Sequence, residues 1–256
     1  MENRLVVNAD DLGFNKSCSE AIALAFEKKL ISSTTAMANG EYIEQAYKLA
    51  LEGGFCDKVG IHIVLTEGEP LTEGIKSDPF FCEGGVFHNR INRLKRTGKK
   101  EIEHLKEEVS AQIEKLRSLG FPLSHADSHH HIHTDVFFIG AIEEVLKKYG
   151  INKIRLHRNF GDMSFYKKII KNMFNARLVR HGFVTVSKMG SLDDLENYPE
   201  TIKEYPCEIM VHPDFDKDGR LVDRSLYADG VPVGEELEKI SRYVRDTELV
   251  SYNELK

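Results

Sequence analysis

A chain of 256 residues, 41% hydrophobic and 30% charged with a formal charge of −6, is long enough to bury roughly 70–75% of its extended surface in one core. No apolar run approaches the roughly 20 residues that cross a bilayer, and the acidic balance argues against a broad nucleic-acid-binding face. These limits predict a globular protein of a single domain over 1–256, with no membrane and no nucleic-acid partner.

The opening segment MENRLVVNADD turns acidic after a few apolar residues and carries no hydrophobic stretch of signal-peptide length. Cys18, Cys56, Cys82 and Cys207 show no CxxC spacing, which points away from a zinc knuckle or a disulfide scaffold. A cytoplasmic location is the expectation.

In chain order, RLVVNADD (4–11) reads as a buried strand ending in carboxylates, and SEAIALAFEKKL (19–30) places apolar residues three and four apart, as a helix does. The alternation returns in STTAMANG (33–40) with YIEQAYKLALEG (42–53), and in KVGIHIVLT (58–66) with the helix beginning near Lys100. LSHADSH (123–129) precedes VFFIGAIEEVLKKYG (136–150), and KIRLHR (153–158) precedes MSFYKKIIKNMF (163–174). FVTVSK (183–188), CEIMVHP (207–213) and TELVSY (247–252) complete the series. Strands separated by helices favour parallel pairing, so the predicted fold is α/β, a single (β/α) barrel, TIM-like or slightly irregular, with seven or eight parallel strands. A doubly wound open sheet is the runner-up. The absence of GxGxxG after the first strand and of GxxxxGK[ST] leaves no phosphate-binding loop.

Residues 67–99 are rich in Gly, Pro and charge and lack a sustained period. They read as a long excursion at the C-terminal end of the third strand, where a barrel loop borders the active site. The basic run NRINRLKRTGKK (89–100) within and beyond it reads as a solvated loop and helix start.

Polar clusters fall at several strand ends: NADD, GIHIVL, HADSHHHIH and IMVHPD. If those strands share one open end, the clusters converge on one pocket. Asp10 and Asp11 are adjacent, so alternation along an extended strand aims them differently; one is free to bind a cation while the other serves as a base, the competing reading being a solvated acidic turn. His62 sits in an apolar run, where an imidazole needs a partner or a ligand. With Asp11 and one histidine from 129–133 it completes an Asp/His/His set that suits a divalent ion and leaves positions for water and substrate.

If 129–133 is extended, His129, His131 and His133 share one side and His130 the other; the roles of His130, His131 and His133 stay open. Asp127 is placed to orient a ligand. His212, held before Pro213, is the candidate for a second proton-transfer group, with Asp214 near enough in sequence to tune it. Arg155 neutralises a carboxylate or binds a polar substrate.

VVNADDLGFNKS, ISSTTAMANG, VGIHIVLTEGEPL, HADSHHHIH and EIMVHPD, in that order and across nearly the whole chain, resemble the YdjC-like carbohydrate deacetylases, which include chitooligosaccharide deacetylases. The resemblance implies a (β/α)-barrel hydrolase with one divalent metal on Asp11, His62 and His129, Asp10 as base and His212 as acid. It implies magnesium as the ion, although two histidine ligands also suit zinc, manganese or cobalt, and a homodimer acting on acetylated oligosaccharides. Asp214 stands where the family often has glycine. Asp127, Arg155 and Asp214 are expected to bind substrate or support the site. A metal-dependent phosphoesterase is the alternative, weakened by the sparse carboxylate set; a noncatalytic carbohydrate-binding protein is a further one.

Overall fold

The computed structural model describes residues 4–89, 97–245 and 247–256; most of the basic run 89–100 lies outside them. The first half of the chain runs β1 (Arg4–Leu12), α1 (Lys16–Glu27), β2 (Ser33–Ala36), α2 (Ile43–Glu52), β3 (Val59–Ile63), the short α3 (Glu73–Lys76), a small hairpin of β4 (Cys82–Glu83) and β5 (Val86–Phe87), and α4 (Lys99–Leu119). The second half runs β6 (Ala126–Ser128), α5 (Ile139–Lys148), α6 (Phe165–Arg180), β7 (Lys188–Ser191), α7 (Leu192–Asn197), α8 (Thr201–Glu204), β8 (Cys207–Val211), β9 (Pro213–Phe215), β10 (Leu221–Ala228), β11 (Val231–Glu236) and β12 (Glu248–Leu249).

A parallel sheet ordered β6-β3-β2-β1-β8-β7, with β12 also on β1, makes seven strands. It curls into a half-barrel, an irregular version of the TIM-like plan. β1 is its centre: Leu5, Val6, Val7 and Ala9 are all fully buried, because a parallel strand covered on both faces needs apolar residues at every position rather than every second one. Each such aliphatic side chain stabilises the fold by about 1.5–3 kcal/mol. Helices start and stop where local chemistry directs. Asn15 Oδ1 accepts the Cys18 N–H at the start of α1, and Gly120, at φ 114°, closes α4 in the left-handed region open to glycine.

Two expected strands are only partly formed. In 153–158 the ladder stops after bridges at Lys153 and Ile154. The Asn175 amide, from α6, takes the His157 N–H at 2.9 Å and donates to its carbonyl at 3.0 Å, occupying the groups a neighbouring strand would use. In 183–188 only Val184 makes a bridge and the strand itself begins at Lys188. The antiparallel sheet β9-β10-β11 was not expected. Its sequence signal is Asp229-Gly230, both at positive φ (51° and 77°), the two-residue turn that matches the twist of a hairpin.

Candidate metal centre and active site

β1 delivers two carboxylates to one pocket, which regular alternation forbids. Its pairing with β2 slips between Ala9 and Leu12, and Asp11 adopts φ 69°. This bulge turns Asp11 to the same side as Asp10, and both are almost fully buried. A non-glycine residue in the left-handed region carries about 1–3 kcal/mol of strain, so the surrounding contacts must hold it there.

Those contacts define a candidate metal site. Asp11, His62 and His129 offer ligand atoms that all lie within 4.8 Å of one another. Asp11 Oδ1 is 2.9 Å from His129 Nδ1 and 3.2 Å from His62 Nε2. His62 Nε2 is buried without a regular hydrogen bond, and such a buried donor set with an orphaned imidazole nitrogen fits a divalent ion. Each imidazole is oriented by a carboxylate on its other nitrogen: His62 Nδ1 donates to Asp127 at 2.7 Å, and His129 Nε2 to Glu67 at 2.8 Å. That is the carboxylate–histidine arrangement that fixes tautomer and ring position in metal sites.

The same contacts set the charges of the ion-free site. Burial alone lowers the His62 pKa, but Asp127 and Asp11 overcome it and push it up to about 10. Burial likewise opposes ionisation of Asp11, yet His129 and His62 hold it well below the usual carboxylate range.

Arg155 is fully buried among carboxylates. Its guanidinium donates to both oxygens of Asp10 at 2.6 Å and to Glu208 at 2.7 Å, and lies 2.8 Å from Asp127. Burial favours a neutral Asp10, but Arg155 overrides it and keeps the carboxyl well below its ordinary range. Burial raises the Glu208 pKa, and Tyr252 donates to that carboxylate at 2.5 Å.

His212 leaves β8 with Nε2 3.9 Å from Asp10 and its side chain 29% exposed. Asp214 is turned away from it. Fully buried, Asp214 instead pairs with Arg224 at 3.0 Å and accepts from Ser17 and Tyr227. The carboxylate beside His212 is Asp223, which accepts the His212 backbone N–H at 2.7 Å and lies 3.9 Å from Nδ1; burial pushes its pKa up to about 6.

His129–Thr134 is a 3-10 turn rather than extended chain, with His130 and His131 both at positive φ. The one-sided alignment of 129, 131 and 133 therefore does not occur. His133 is fully buried against Ser128, and burial pushes the pKa of the pocket-lining His131 down to about 3.

A cavity of about 350 Å³ opens over these groups, lined by Asp10, Asp11, His62, His129, His212 and Arg224 among others. Sequence reading missed Glu67, Asp223 and Arg224. Glu67 lies in the quoted stretch VLTEGEPL; Asp223 and Arg224 ride on the hairpin sheet, where Arg224 reaches Asp11 at 2.6 Å.

A family model described as YdjC-like protein matches residues 4–253. The chain belongs to the YdjC-like family. Among YdjC-like relatives, a carbohydrate deacetylase of Clostridium beijerinckii is 31% identical, over 93% of this chain and 91% of its own. One from Brevibacillus brevis is 29% identical over 98% and 99%, and a chitooligosaccharide deacetylase of Escherichia fergusonii 30% identical over 84% and 83%. The fold is shared with a solved structure from Enterococcus faecalis, at a TM-score of 0.76 and 19% identity over 98% of both chains.

Proposed function

We propose that this YdjC-like chain is a metal-dependent deacetylase that removes N-acetyl groups from N-acetylglucosamine-containing oligosaccharides such as chitooligosaccharides. The observation that carries the reading is the convergence of the Asp11/His62/His129 donor set with a further carboxylate, Asp10, and a further imidazole, His212, on one cavity. A divalent ion held there supplies Lewis acidity to water and to the acetamide carbonyl.

The residues of the chain handle the protons. Asp10, kept ionised by Arg155, accepts a proton as water adds to the carbonyl carbon. So acidic a carboxyl holds that proton weakly, and His212 Nε2 at 3.9 Å is the acceptor within reach. As the C–N bond breaks, His212 returns a proton to the departing amine nitrogen, leaving acetate and a free amino sugar. Asp223 orients His212 from behind, and Arg224 offsets the charge of Asp11.

The ion in this reading is magnesium by resemblance; imidazole donors also accept zinc, manganese or cobalt. A cytoplasmic homodimer belongs to the same proposal. It is supported by four free cysteines, by the lack, among the described residues, of any helix long and apolar enough to cross a membrane, and by exposed Phe165, Tyr166 and Met173 on α6.

The test is acetate release from di- and tri-N-acetylchitooligosaccharides by metal-stripped protein resupplied with each of these ions, with His129→Ala as control. Metal-dependent release that H129A lacks is the expected result. Phosphate release from a phosphoester panel with no acetate from any N-acetyl sugar overturns the reading.

A further inference from the structure

The turn His129–Thr134 after β6 carries four histidines, and three of them have partners within the protein. His129 is held by Asp11 and Glu67, the His130 ring lies 3.0 Å from the Thr66 hydroxyl, and His133 is buried on Ser128. His131 lines the catalytic cavity together with Asp10 and His212, yet neither the ion site nor proton transfer uses it. Its carbonyl accepts the Thr134 hydroxyl at 2.8 Å, but among the described residues its imidazole has no hydrogen-bond partner.

Holding the ring there costs backbone strain. His130 and His131 are consecutive non-glycine residues in the left-handed region, at φ 50° and 53°, and such a residue carries about 1–3 kcal/mol. The turn is pinned on both sides of the ring: Ser128 Oγ accepts the His133 N–H at 2.9 Å, and the Thr134 hydroxyl reaches back to His131. Strain that neighbouring bonds maintain at a pocket fixes the side chain it carries, and here that side chain is an imidazole left without a partner in the protein.

The reaction supplies a partner. Hydrolysis of an acetamide moves charge at the attacking water, at the departing nitrogen and at the carbonyl oxygen. In the deacetylase reading Asp10 serves the water and His212 the nitrogen, so the oxygen calls for a hydrogen-bond donor of its own. Other donors on the cavity wall are turned to protein acceptors. The Ser225 hydroxyl donates to the Val233 carbonyl at 2.9 Å, Tyr227 to Asp214 at 3.0 Å, and Arg224 to Asp11 at 2.6 Å and Asp214 at 3.0 Å. An imidazole carries an N–H in either protonation state. We propose that His131 is a further catalytic residue, whose ring N–H donates to the acetamide oxygen as negative charge develops there. The proposal rests on the deacetylase reading for the identity of the reacting group.

The experiment measures kcat and KM for acetate release from di-N-acetylchitobiose by metal-loaded wild type, His131→Gly and His131→Gln. Glycine adopts the backbone angle without strain and removes the donor, whereas glutamine returns an N–H donor on a side chain of similar reach. H131G is expected to lower kcat about 10²–10³-fold, the scale of one oxyanion donor, with KM and thermal melt close to those of wild type. H131Q is expected to recover at least about tenfold of that loss. A kcat within about threefold of wild type in H131G, a loss carried by KM instead, or glutamine no faster than glycine overturns the role.

If the wild type releases no acetate from any N-acetyl sugar, the deacetylase reading falls, and calorimetric binding of sodium acetate to the same metal-loaded proteins decides the donor separately. Acetate bound about tenfold more weakly by H131G than by wild type, with affinity regained in H131Q, upholds it. No acetate binding by wild type, equal affinity in wild type and H131G, or affinity that H131Q does not regain overturns it.

Discussion

Replacing Arg155 by methionine keeps much of the side-chain volume and removes a cation that reaches Asp10, Asp127 and Glu208 together. All four residues are buried, with Arg155, Asp127 and Glu208 fully so, and water cannot take over the lost hydrogen bonds. Breaking a buried ion pair costs about 3–5 kcal/mol. For a chain of this length that corresponds to a melting temperature lower by about 6–20 °C.

The pH dependence has a definite sign. In the wild type the folded pKa of Asp10 lies below its unfolded value, so its contribution is present above about pH 4 and is lost as pH falls through the folded pKa. In R155M burial acts without the guanidinium, the carboxyl pKa rises, and proton uptake relieves the repulsion. The gap between variant and wild type should therefore narrow from pH 7.5 to pH 5. Urea unfolding of both proteins in EDTA at the two pH values measures it. A gap below about 1 kcal/mol at pH 7.5, or one that widens on acidification, refutes the placement of Arg155 as the charge anchor of the site.

Other expectations concern individual groups. Glu67→Gln should weaken divalent-ion affinity about 10–100-fold by loosening His129, read by competition with a metal-binding dye; unchanged affinity would remove Glu67 from the site. His212→Ala should lower kcat about 10²–10⁴-fold with little change in KM, as loss of a proton-transfer group does; a change in KM alone would contradict that role. The His62 pKa is raised to about 10 in the ion-free protein, so its stabilising contribution is complete below about pH 6.5 and lost as pH rises through 10. Thermal melts in EDTA should fall accordingly between pH 7 and 10, while His62→Asn should show a shallower decline.

Much of the architecture was legible because burial writes itself into sequence: β1, β3 and β8 appear as short, mainly apolar runs leading into polar residues. The strands around 153–158 and 183–188 were less so, since the Asn175 amide that ends one ladder lies on a helix well downstream. Within the site, Asp10, Asp11, His62, His129 and His212 were visible as residue types at strand ends, and the cavity gathers them. Their division of labour was not visible, because it depends on a bulge that re-aims Asp11 and on Arg155 meeting three carboxylates from three different strands. Nearness in sequence points to Asp214 as the partner of His212. The hairpin sheet reverses that: pairing β10 with β9 brings Asp223 opposite Pro213, beside His212.

The register of β1 with β12 places Arg4 opposite Glu248, so the first strand and a strand near the end of the chain lie one strand spacing apart, about 4.8 Å. The first strand also pairs along Leu5–Ala9 with β8, and neither partner exists until most of the chain has been made. An N-terminal fragment ending before Cys207 would leave β1 with one open side, and the ion-binding carboxylate of Asp11 would sit on an unsupported strand. Joining β12 to β1 through a linker and opening the chain at an exposed turn should, by contrast, yield a circular permutant that keeps every strand pairing of the sheet.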